Sequence, residues 1–547
     1  MKEIKIAKIA DILLEIGWLS ILILLPLVFF PFFISGAWQI SEYFVFQIIT
    51  EMMFFIWLVK IILFGKSVCR SEISLVKSVK ILLPAGIFIF ILGLSTIFSQ
   101  SPHYSFWGIY YRKMGYLTWL HFFIFFLILF FNLKNKEQIK RIFWAVIFTV
   151  FVATIYGLTQ IIGLDFLTWN EPTGFISRVF STFGQPNFFA SWLLLALPIV
   201  FLTFFQLSKT SFIKRPVLIC LIILTLIVFI FTQSRAGWLG FLIAFSFFIL
   251  IFTRLKKKKK VFFSFLFFLF AGFLMIFVLN LKPLTVNSDD NFLIARFKTL
   301  TDLSDAGGIR FFWWDKSLDL IKIKPVLGYG PETQKFNFAR YYGPDAAAME
   351  AINSIPDRAH NDFLDILLTS GILGLLSYLF LLISVFYFGL KYVFKKVKTE
   401  LEISSLSAPG GGRGKLETLV LLAGLTGYLF SLQFSFHVIP TAVYFWVYLA
   451  IVLRLSAGTE DNAETNINPP PSPPSASRRR RMAEAEAKLR RFSSKRGHKA
   501  RSRLRDNFKF LIPRHTWDYP ESAEWVIFKS INFKFFIGFK IDSLKIQ

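Results

Sequence analysis

Long apolar runs separated by short polar segments dominate this chain. An α-helix needs about 20 residues to cross a bilayer, and twelve runs come near that length. They lie at 13–35, 43–64, 80–98, 116–133, 141–163, 188–206, 216–232, 237–253, 261–281, 363–390, 417–436 and 440–455. Residues 282–362 interrupt the series with a long polar segment. The pattern predicts an all-α membrane protein of about twelve transmembrane helices with a long loop before the tenth.

The composition agrees with a polytopic membrane protein. Of the 547 residues, 55% are hydrophobic and 70 are phenylalanine, and the mean hydropathy is +0.58, which exceeds what a soluble core requires. We therefore divide the chain into helices one to nine (1–281), an extracytoplasmic loop (282–362), helices ten to twelve (363–455) and a basic, partly disordered tail (456–547). The N-terminal run lacks a small-residue cleavage site, so we expect a retained helix there.

Lysine and arginine predict the orientation of these helices. The N-terminus and the short loops on its side carry 26 of these residues, whereas the short loops on the opposite side carry 4. Positive residues concentrate in cytoplasmic loops. Both termini are therefore predicted to be cytoplasmic and residues 282–362 to face outward, in a multi-pass protein of the inner (cytoplasmic) membrane.

The net charge of +27 has a second source in the tail. Residues 478–481 are four consecutive arginines, and the segment remains basic to Arg505. A basic cytoplasmic segment binds anionic lipid headgroups, so we expect membrane lipids as its partner. No nucleic-acid-binding module is recognisable, and we expect no nucleic acid partner.

The few cations on the outward face need an explanation. They are Arg112, Lys113, Arg178 and Arg235, together with those of the long loop. Each by itself fits a snorkelling side chain at a helix end. Together they place positive charge on the face that carries the long loop, where a guanidinium at the membrane rim binds an anion strongly. The natural anion at a membrane is a phosphate headgroup, which arginine matches in bidentate geometry without a metal.

The long loop holds two segments that could contact a ligand. Residues 308–323 have apolar positions spaced for an amphipathic helix along the membrane surface, with Arg310 and Trp314 on one face. Residues 328–332 read Gly-Tyr-Gly-Pro-Glu, a turn where backbone can approach a ligand. A plain turn explains the same spacing.

His360 ends the loop in the sequence Arg358-Ala-His-Asn-Asp362, directly before an apolar run. A histidine there can accept a proton from a hydroxyl near neutral pH. A helix cap by Asn361 and Asp362 beside an interfacial imidazole explains these residues equally well. The sequence contains no P-loop, nucleotide fingerprint or His/Cys/carboxylate set at metal-ligand spacing, so we expect no cofactor and no metal.

In their order along the chain, these segments resemble the bacterial O-antigen ligase and O-antigen polymerase superfamily of polytopic membrane glycosyltransferases. The resemblance covers about residues 100–390. Its segments are Phe106-Trp-Gly108 with Arg112 and Gly115; Arg178 with Phe183-Gly-Gln-Pro-Asn187; Ser234-Arg235-Ala-Gly237; Arg310 with Trp314; Pro325-Val-Leu-Gly328-Tyr-Gly330; and Ala359-His360-Asn361 followed by Gly371-Ile-Leu-Gly374. Each segment is weak alone, and the combination is fairly specific.

The resemblance implies a GT-C-like O-antigen ligase fold and a metal-independent, inverting glycosyl transfer at the outer face of the inner membrane. The implied donor is a glycan on a polyprenyl diphosphate, usually undecaprenyl diphosphate. Arg235 and Arg310 would hold the diphosphate, and His360 would activate the acceptor hydroxyl. The implied substrate-binding residues are Arg112, Arg178, Asn187, Trp314, Gly328, Gly330, Glu332 and Asn361.

Three hypotheses remain. A ligase moves a finished or oligomeric glycan onto a lipid, glycan or protein acceptor, whereas a polymerase joins lipid-linked repeat units, and the shared motifs do not separate the two. A transporter for an anion or small solute is the alternative from another class. Transporters typically have broken midplane helices and intramembrane acids and bases, which these runs nearly lack away from their ends. We therefore favour the O-antigen ligase-like glycosyltransferase.

Overall fold

The computed structural model of the chain describes residues 2–29, 38–68, 75–165, 178–208, 211–265, 305–349, 355–395 and 413–467. Every regular element in these ranges is a helix, so the predicted all-α class is confirmed. The described residues belong to one compact unit, Met1–Ile467. The predicted tail beyond Ile467 and residues 282–304 of the predicted loop lie outside the described residues.

The helices fall into a long and a short group. The long helices are α1 (Lys2–Leu24), α2 (Trp38–Val68), α3 (Leu75–Ile97), α5 (Tyr116–Asn132), α6 (Lys136–Ile161), α7 (Pro186–Gln206), α8 (Lys214–Phe231), α9 (Arg235–Leu255), α10 (Asp305–Ile323), α13 (Asp362–Phe394), α14 (Arg413–Ser431) and α15 (Ile439–Ile467). The short ones are α4 (Pro102–Trp107), α11 (Gln334–Phe338) and α12 (Pro344–Met349), with 3₁₀ turns at Ser181–Phe183, Ala339–Tyr341 and Leu432–Phe434.

Nine helices in the described part of the chain are long and apolar enough to cross a membrane, and each coincides with a predicted span. Helix α5 covers a tenth predicted span with 17 residues. Helix α1 coincides only in part with the predicted span 13–35, because it begins at Lys2, includes Asp11 and Glu15 and ends at Leu24. The predicted span 261–281 is described only to residue 265, so the count of twelve stays a prediction.

Helices α7, α14 and α15 form the centre of the bundle. In the most apolar stretch of these helices 78%, 72% and 89% of the residues are buried, against 17% in α2 and 22% in α9. Their large side chains, such as Trp192, Tyr428 and Trp446, are fully buried in one apolar core. Apolar helices with as little burial as α2 and α9 fit the lipid-facing periphery of a membrane bundle.

Glycines let α9 and α14 cross in close contact. A Cβ atom on Gly240 would lie 2.7 Å from the carbonyl oxygen of Gly427, and a Cβ atom on Gly427 would lie 2.5 Å from that of Gly240. Small residues allow helix backbones to approach in membranes, where packing drives association. The crossing holds the first half of α9, which begins at Arg235, against the centre of the bundle.

A break in α13 attaches the polar segment to the bundle. Gly371 has φ 66° and ψ −169°, a backbone conformation that is practically restricted to glycine. At the break the carbonyl oxygen of Thr369 accepts a hydrogen bond from the N–H of Gly330 at 2.8 Å. The N–H of Ile372 donates to the carbonyl oxygen of Pro325 at 2.7 Å. Backbone groups that an unbroken helix would pair internally therefore hold residues 325–330.

Helix α10 packs on this docked segment through a small apolar core. Trp313, Leu320, Tyr329 and Phe338 are each at most 2% exposed and form its centre. The helix predicted at 308–323 is thus present. Two of the apolar positions that predicted a membrane-surface helix, Trp313 and Leu320, contact protein instead, because the docked segment supplies Tyr329 as their partner.

We expect the α9–α14 crossing to be sensitive to a single methyl group. Gly427→Ala places a Cβ 2.5 Å from the carbonyl oxygen of Gly240, and overpacking of this kind costs about 1–3 kcal/mol. The midpoint of thermal unfolding of the purified protein in detergent should fall. Gly86→Ala is the matched control, because a Cβ there meets no atom within 4 Å and alanine favours the helix. Equal midpoints for the two variants would contradict the close crossing.

Candidate functional site

His360 lies directly before α13 in a left-handed backbone conformation, with φ 54°. Asn361 caps α13, since its Oδ1 accepts a hydrogen bond from the N–H of Leu364 at 3.1 Å. Its Nδ2 donates to the carbonyl oxygen of Gln433 at 3.2 Å. The cap that the sequence offered as an alternative to a functional histidine is therefore present, and it holds the backbone next to His360 in place.

The ring of Phe436 gathers three of the charged or titratable groups at this end of the bundle. Its centroid lies 5.4 Å from that of the His360 imidazole. The guanidinium carbons of Arg112 and Arg358 lie 4.8 Å and 5.7 Å from the ring centroid. A guanidinium over an aromatic face is attracted by the ring quadrupole, so Phe436 orders both arginines beside the histidine.

Carboxylates from two other segments pair with these arginines. Arg112 Nε donates to Asp357 Oδ2 at 2.6 Å. Arg358 forms an ion pair with Glu332, whose second oxygen accepts a hydrogen bond from the N–H of Ile109 at 3.1 Å. The side chains of Glu332 and Arg358 are 1% and 12% exposed. Glu332 was predicted to bind substrate, and in the structure it holds a buried arginine and the loop after α4.

The environment of His360 keeps its imidazole neutral. Burial, followed by the positive charge of Arg310, lowers the pKa of His360 to about 4. Asp357 opposes this shift. Arg310 of α10 is therefore close enough to act electrostatically on His360, as the sequence prediction of a shared site requires. A neutral imidazole keeps a ring nitrogen with a free lone pair for a proton.

A second group of predicted residues lies where α7 and α9 begin. Arg178 Nε donates to the carbonyl oxygen of Thr232 at 3.1 Å, and its Nη2 donates to Asn187 Oδ1 at 3.2 Å. Ser234 caps α9 through the N–H of Gly237 at 3.2 Å, which makes Arg235 the first residue of the helix. The structure thus brings the Arg178–Asn187 pair and the start of α9 together.

Phe188 connects this second group to the first. It follows Asn187 in the first turn of α7, and its ring centroid lies 5.3 Å from that of Phe436. The ring that orders Arg112 and Arg358 is thus also in contact with the start of α7. Four predicted site cations that lie on separate segments therefore belong to one end of the bundle. They are Arg112, Arg178, Arg235 and Arg310.

Gly328 and Gly330, predicted to let a ligand approach, are packed against protein. A Cβ atom on Gly328 would lie 2.5 Å from the carbonyl oxygen of Leu368, and one on Gly330 would lie 2.1 Å from Ser99 Oγ. Both have positive φ, 65° and 98°. These values and contacts serve the docking of residues 325–330 on α13, which the plain-turn alternative had partly anticipated.

The turn between α14 and α15 is a part of the site that the sequence analysis missed. It contributes Phe436 and His437, which is 3% exposed. Nδ1 of His437 lies 2.8 Å from the Tyr428 hydroxyl, and its Nε2 lies 3.6 Å from Asp362 Oδ1. Burial lowers the pKa of His437 to about 3, with a smaller contribution from Arg358. A histidine between two apolar helices was the only local signal available.

A small cavity lies beneath this turn. Its volume is about 40 Å³, and Arg358, Asp362, Asp365, Phe436 and His437 are among its lining residues. One carboxylate oxygen of each aspartate has no hydrogen-bond partner within the described residues. Space and polar walls of this kind suit one or two ordered waters. The same described residues bring no three His, Cys, Asp or Glu together in a metal-binding group.

Comparison with known proteins places this site in a recognisable stretch of chain. The O-Antigen ligase family model matches residues 220–379, a range that contains Arg235, Arg310 and His360. A ComP-specific O-oligosaccharyltransferase of Acinetobacter baylyi is 24% identical over 302 residues, which cover 53% of this chain and 50% of that protein. The chain thus aligns with about half the length of this curated relative.

We expect the Glu332–Arg358 pair to be required for stability. Glu332→Leu leaves the guanidinium of Arg358 buried without its carboxylate, and breaking a buried pair in this way costs about 3–5 kcal/mol. Chemical unfolding of the purified protein should report this loss. Asp319→Asn, which removes the partner of a 75% exposed lysine, is the control and should leave stability unchanged. A stability loss no larger than that of the control would refute the structural role of the pair.

Proposed function

We propose that this chain, whose residues 220–379 match the O-Antigen ligase family model, transfers a glycan from a polyprenyl diphosphate donor to an acceptor hydroxyl. The single observation that carries the proposal is the hydrogen bond from Trp314 Nε1 to the carbonyl oxygen of Ala359 at 2.8 Å, which holds α10, with Arg310 one turn before Trp314, against the backbone that precedes His360. A base and a cation in one site are what the transfer needs. The acceptor must lose a proton while the leaving diphosphate gains negative charge.

The bonds change as follows. The acceptor oxygen attacks the anomeric carbon of the donor from the face opposite the diphosphate, and its proton passes to the free ring nitrogen of His360. The bond between the anomeric carbon and the phosphate oxygen breaks, and its electron pair stays on the polyprenyl diphosphate. Arg310 and Arg235 hold that diphosphate. Fixed guanidiniums stabilise the developing charge more than the ground state, which accelerates the reaction.

Binding of the donor also prepares the base. Without an anion, burial and the charge of Arg310 hold the pKa of His360 near 4. A diphosphate beside Arg310 brings negative charge next to the imidazole, which favours the protonated form and raises the pKa. The histidine is thus a neutral acceptor when the donor arrives and a stronger base once it is bound.

Six of the remaining predicted site residues fall into three groups. Arg178 and Asn187 form a pair beside Arg235, and we assign them to the diphosphate side of the site. Arg112, paired with Asp357 beside His360, is assigned to the glycan or acceptor side. The predicted ligand contacts Gly328, Gly330 and Glu332 are reassigned to the scaffold that holds them, because protein atoms occupy their surroundings.

The orientation of the bundle follows from its charges. The predicted outward end is the one that carries His360. At the opposite end Asp11 pairs with Lys60 and Lys134, and Glu15 pairs with Arg141, in agreement with the excess of lysine and arginine predicted for the cytoplasm. We infer an inner-membrane protein with the transfer site on the outer face, both termini inside and the basic tail near anionic lipid.

A ligase is favoured over the two alternatives. The name of the relative, an O-oligosaccharyltransferase, describes transfer of an oligosaccharide to oxygen, which agrees with a hydroxyl acceptor on a lipid, glycan or protein. A polymerase that joins lipid-linked repeat units would use the same site and is the second candidate. The comparisons do not support a small-solute or anion transporter.

Substitution of Arg235, Arg310 or His360 should abolish transfer without loss of folded protein. We expect each alanine variant to lower kcat by about 10²–10⁴-fold, as removal of a charge-stabilising or proton-accepting group does. The assay is glycan transfer by protein reconstituted in liposomes with a lipid-linked donor. Arg340→Ala, an exposed arginine of the same segment, is the matched control. Three variants with parental rates would reject the proposed site.

The pH profile should show that the base titrates well below the usual range of histidine. Because kcat/KM reports the free enzyme and the pKa of His360 is lowered to about 4, kcat/KM should stay level from about pH 8 to about pH 5. It should fall when protonation removes the base near pH 4. This fall near pH 4 should be absent from the pH profile of the residual activity of His360→Gln. An acid limb centred near pH 6.5 would contradict the buried, charge-suppressed imidazole.

A further inference from the structure

The backbone N–H and C=O of Ala359, the residue before His360, are each hydrogen-bonded to a side chain, and the two side chains belong to different helices. Trp314 of α10 donates from Nε1 to the carbonyl oxygen of Ala359 at 2.8 Å. The N–H of Ala359 donates to Asp365 Oδ1, in the first turn of α13, also at 2.8 Å. Ala359 itself is 1% exposed. Both polar groups of one buried residue are thus fixed by partners that local helix formation does not require.

The strained backbone of His360 explains why these two hydrogen bonds are needed. A non-glycine residue with positive φ is strained and persists only where its surroundings enforce it. His360 has φ 54°, and its nearest fixed points are Ala359 on one side and the cap residue Asn361 on the other. Loss of either hydrogen bond to Ala359 would release one of these points and let the imidazole move.

Trp314 also links the base to the cation. It lies one helical turn after Arg310 on α10, and residues four apart share a face of a helix. The hydrogen bond from Trp314 to Ala359 therefore sets the spacing between Arg310 and His360. The indole ring is held in turn by Phe311 and Phe434, at centroid distances of 5.2 Å and 6.4 Å.

We propose that Trp314 and Asp365 are positioning residues. Their hydrogen bonds to the backbone C=O and N–H of Ala359 hold His360 at a fixed distance from Arg310. The assignment rests on the proposed function and adds two roles to it. Trp314, predicted to bind substrate, acts through its N–H on the protein backbone. Asp365 acts as a hydrogen-bond acceptor for the backbone, so its charge is not required.

Trp314→Phe tests this role, because it removes the indole N–H that donates to Ala359 and keeps an aromatic ring. A displacement of the base by about 1 Å can cost about 10²-fold, and we expect kcat of the full-length protein in liposomes to fall about 10- to 100-fold, with the donor KM within about twofold. Trp313→Phe is the matched control, because the Nε1–H of this neighbouring buried tryptophan has no partner among the described residues. It should keep kcat within about threefold.

Two further measurements separate positioning from a general structural role. In a His360→Ala background, Trp314→Phe should cause no additional loss, since the group it positions is gone. Asp365→Asn, which keeps an acceptor oxygen, should stay within about threefold of the parent, whereas Asp365→Ala should match Trp314→Phe. The Asp365 pair also serves if Trp314→Phe does not fold.

The outcomes distinguish this proposal from the one on which it rests. A parental rate for His360→Ala would reject the proposed role of His360 as the base, on which the positioning proposal rests, whatever Trp314→Phe does. If Trp314→Phe lowers kcat equally in the parent and in the His360→Ala background, the positioning role is wrong, whereas the proposed function still stands. A raised donor KM at unchanged kcat would also overturn the positioning role, because that result means that the indole contacts the glycan.

Discussion

The docking of the polar segment on the broken helix α13 is the constraint on which the site depends. Gly371 breaks the helix, and the freed backbone groups bind residues 325–330. Backbone hydrogen bonds at a helix break anchor this polar segment, because they pair polar groups that would otherwise be left without partners. Once docked, the segment presents Tyr329 to the core of α10, and α10 carries Arg310 to His360. The arrangement of Arg310 and His360 therefore depends on one glycine, Gly371, inside a membrane helix.

Charge pairing decides which groups are available for chemistry. Arg112 and Arg358 are matched by Asp357 and Glu332, which lowers the energetic cost of burying guanidiniums near the membrane. His360 is kept neutral by the same burial and by Arg310. The result is a site whose fixed charges hold the scaffold, while a neutral imidazole and a nearby cation are available to the proposed anionic donor. Buried ion pairs add little net stability, and their use here fits orientation better than strength.

Local patterns predicted the parts of the molecule that the bilayer and the helix dictate. Apolar runs located helices such as α7 and α13, and the spacing of Arg310 and Trp314 placed both on one face. Contacts between distant segments were beyond such patterns. The pairing of Glu332 with Arg358 and the approach of Phe436 to two arginines and a histidine arise from tertiary packing. For the same reason glycines that sequence spacing assigned to a ligand proved to serve backbone docking.

Analysis of lipid-linked glycans in living cells tests the central claim most directly. Mass spectrometry of the polyprenyl diphosphate pool, in a strain that lacks this protein and in its parent, measures the donor that the site should consume. The proposed ligase predicts accumulation of long or finished glycans on the lipid, reversed by the parental protein and not by His360→Ala. Accumulation of single repeat units would instead indicate a polymerase with the same site. An unchanged pool would contradict glycan transfer.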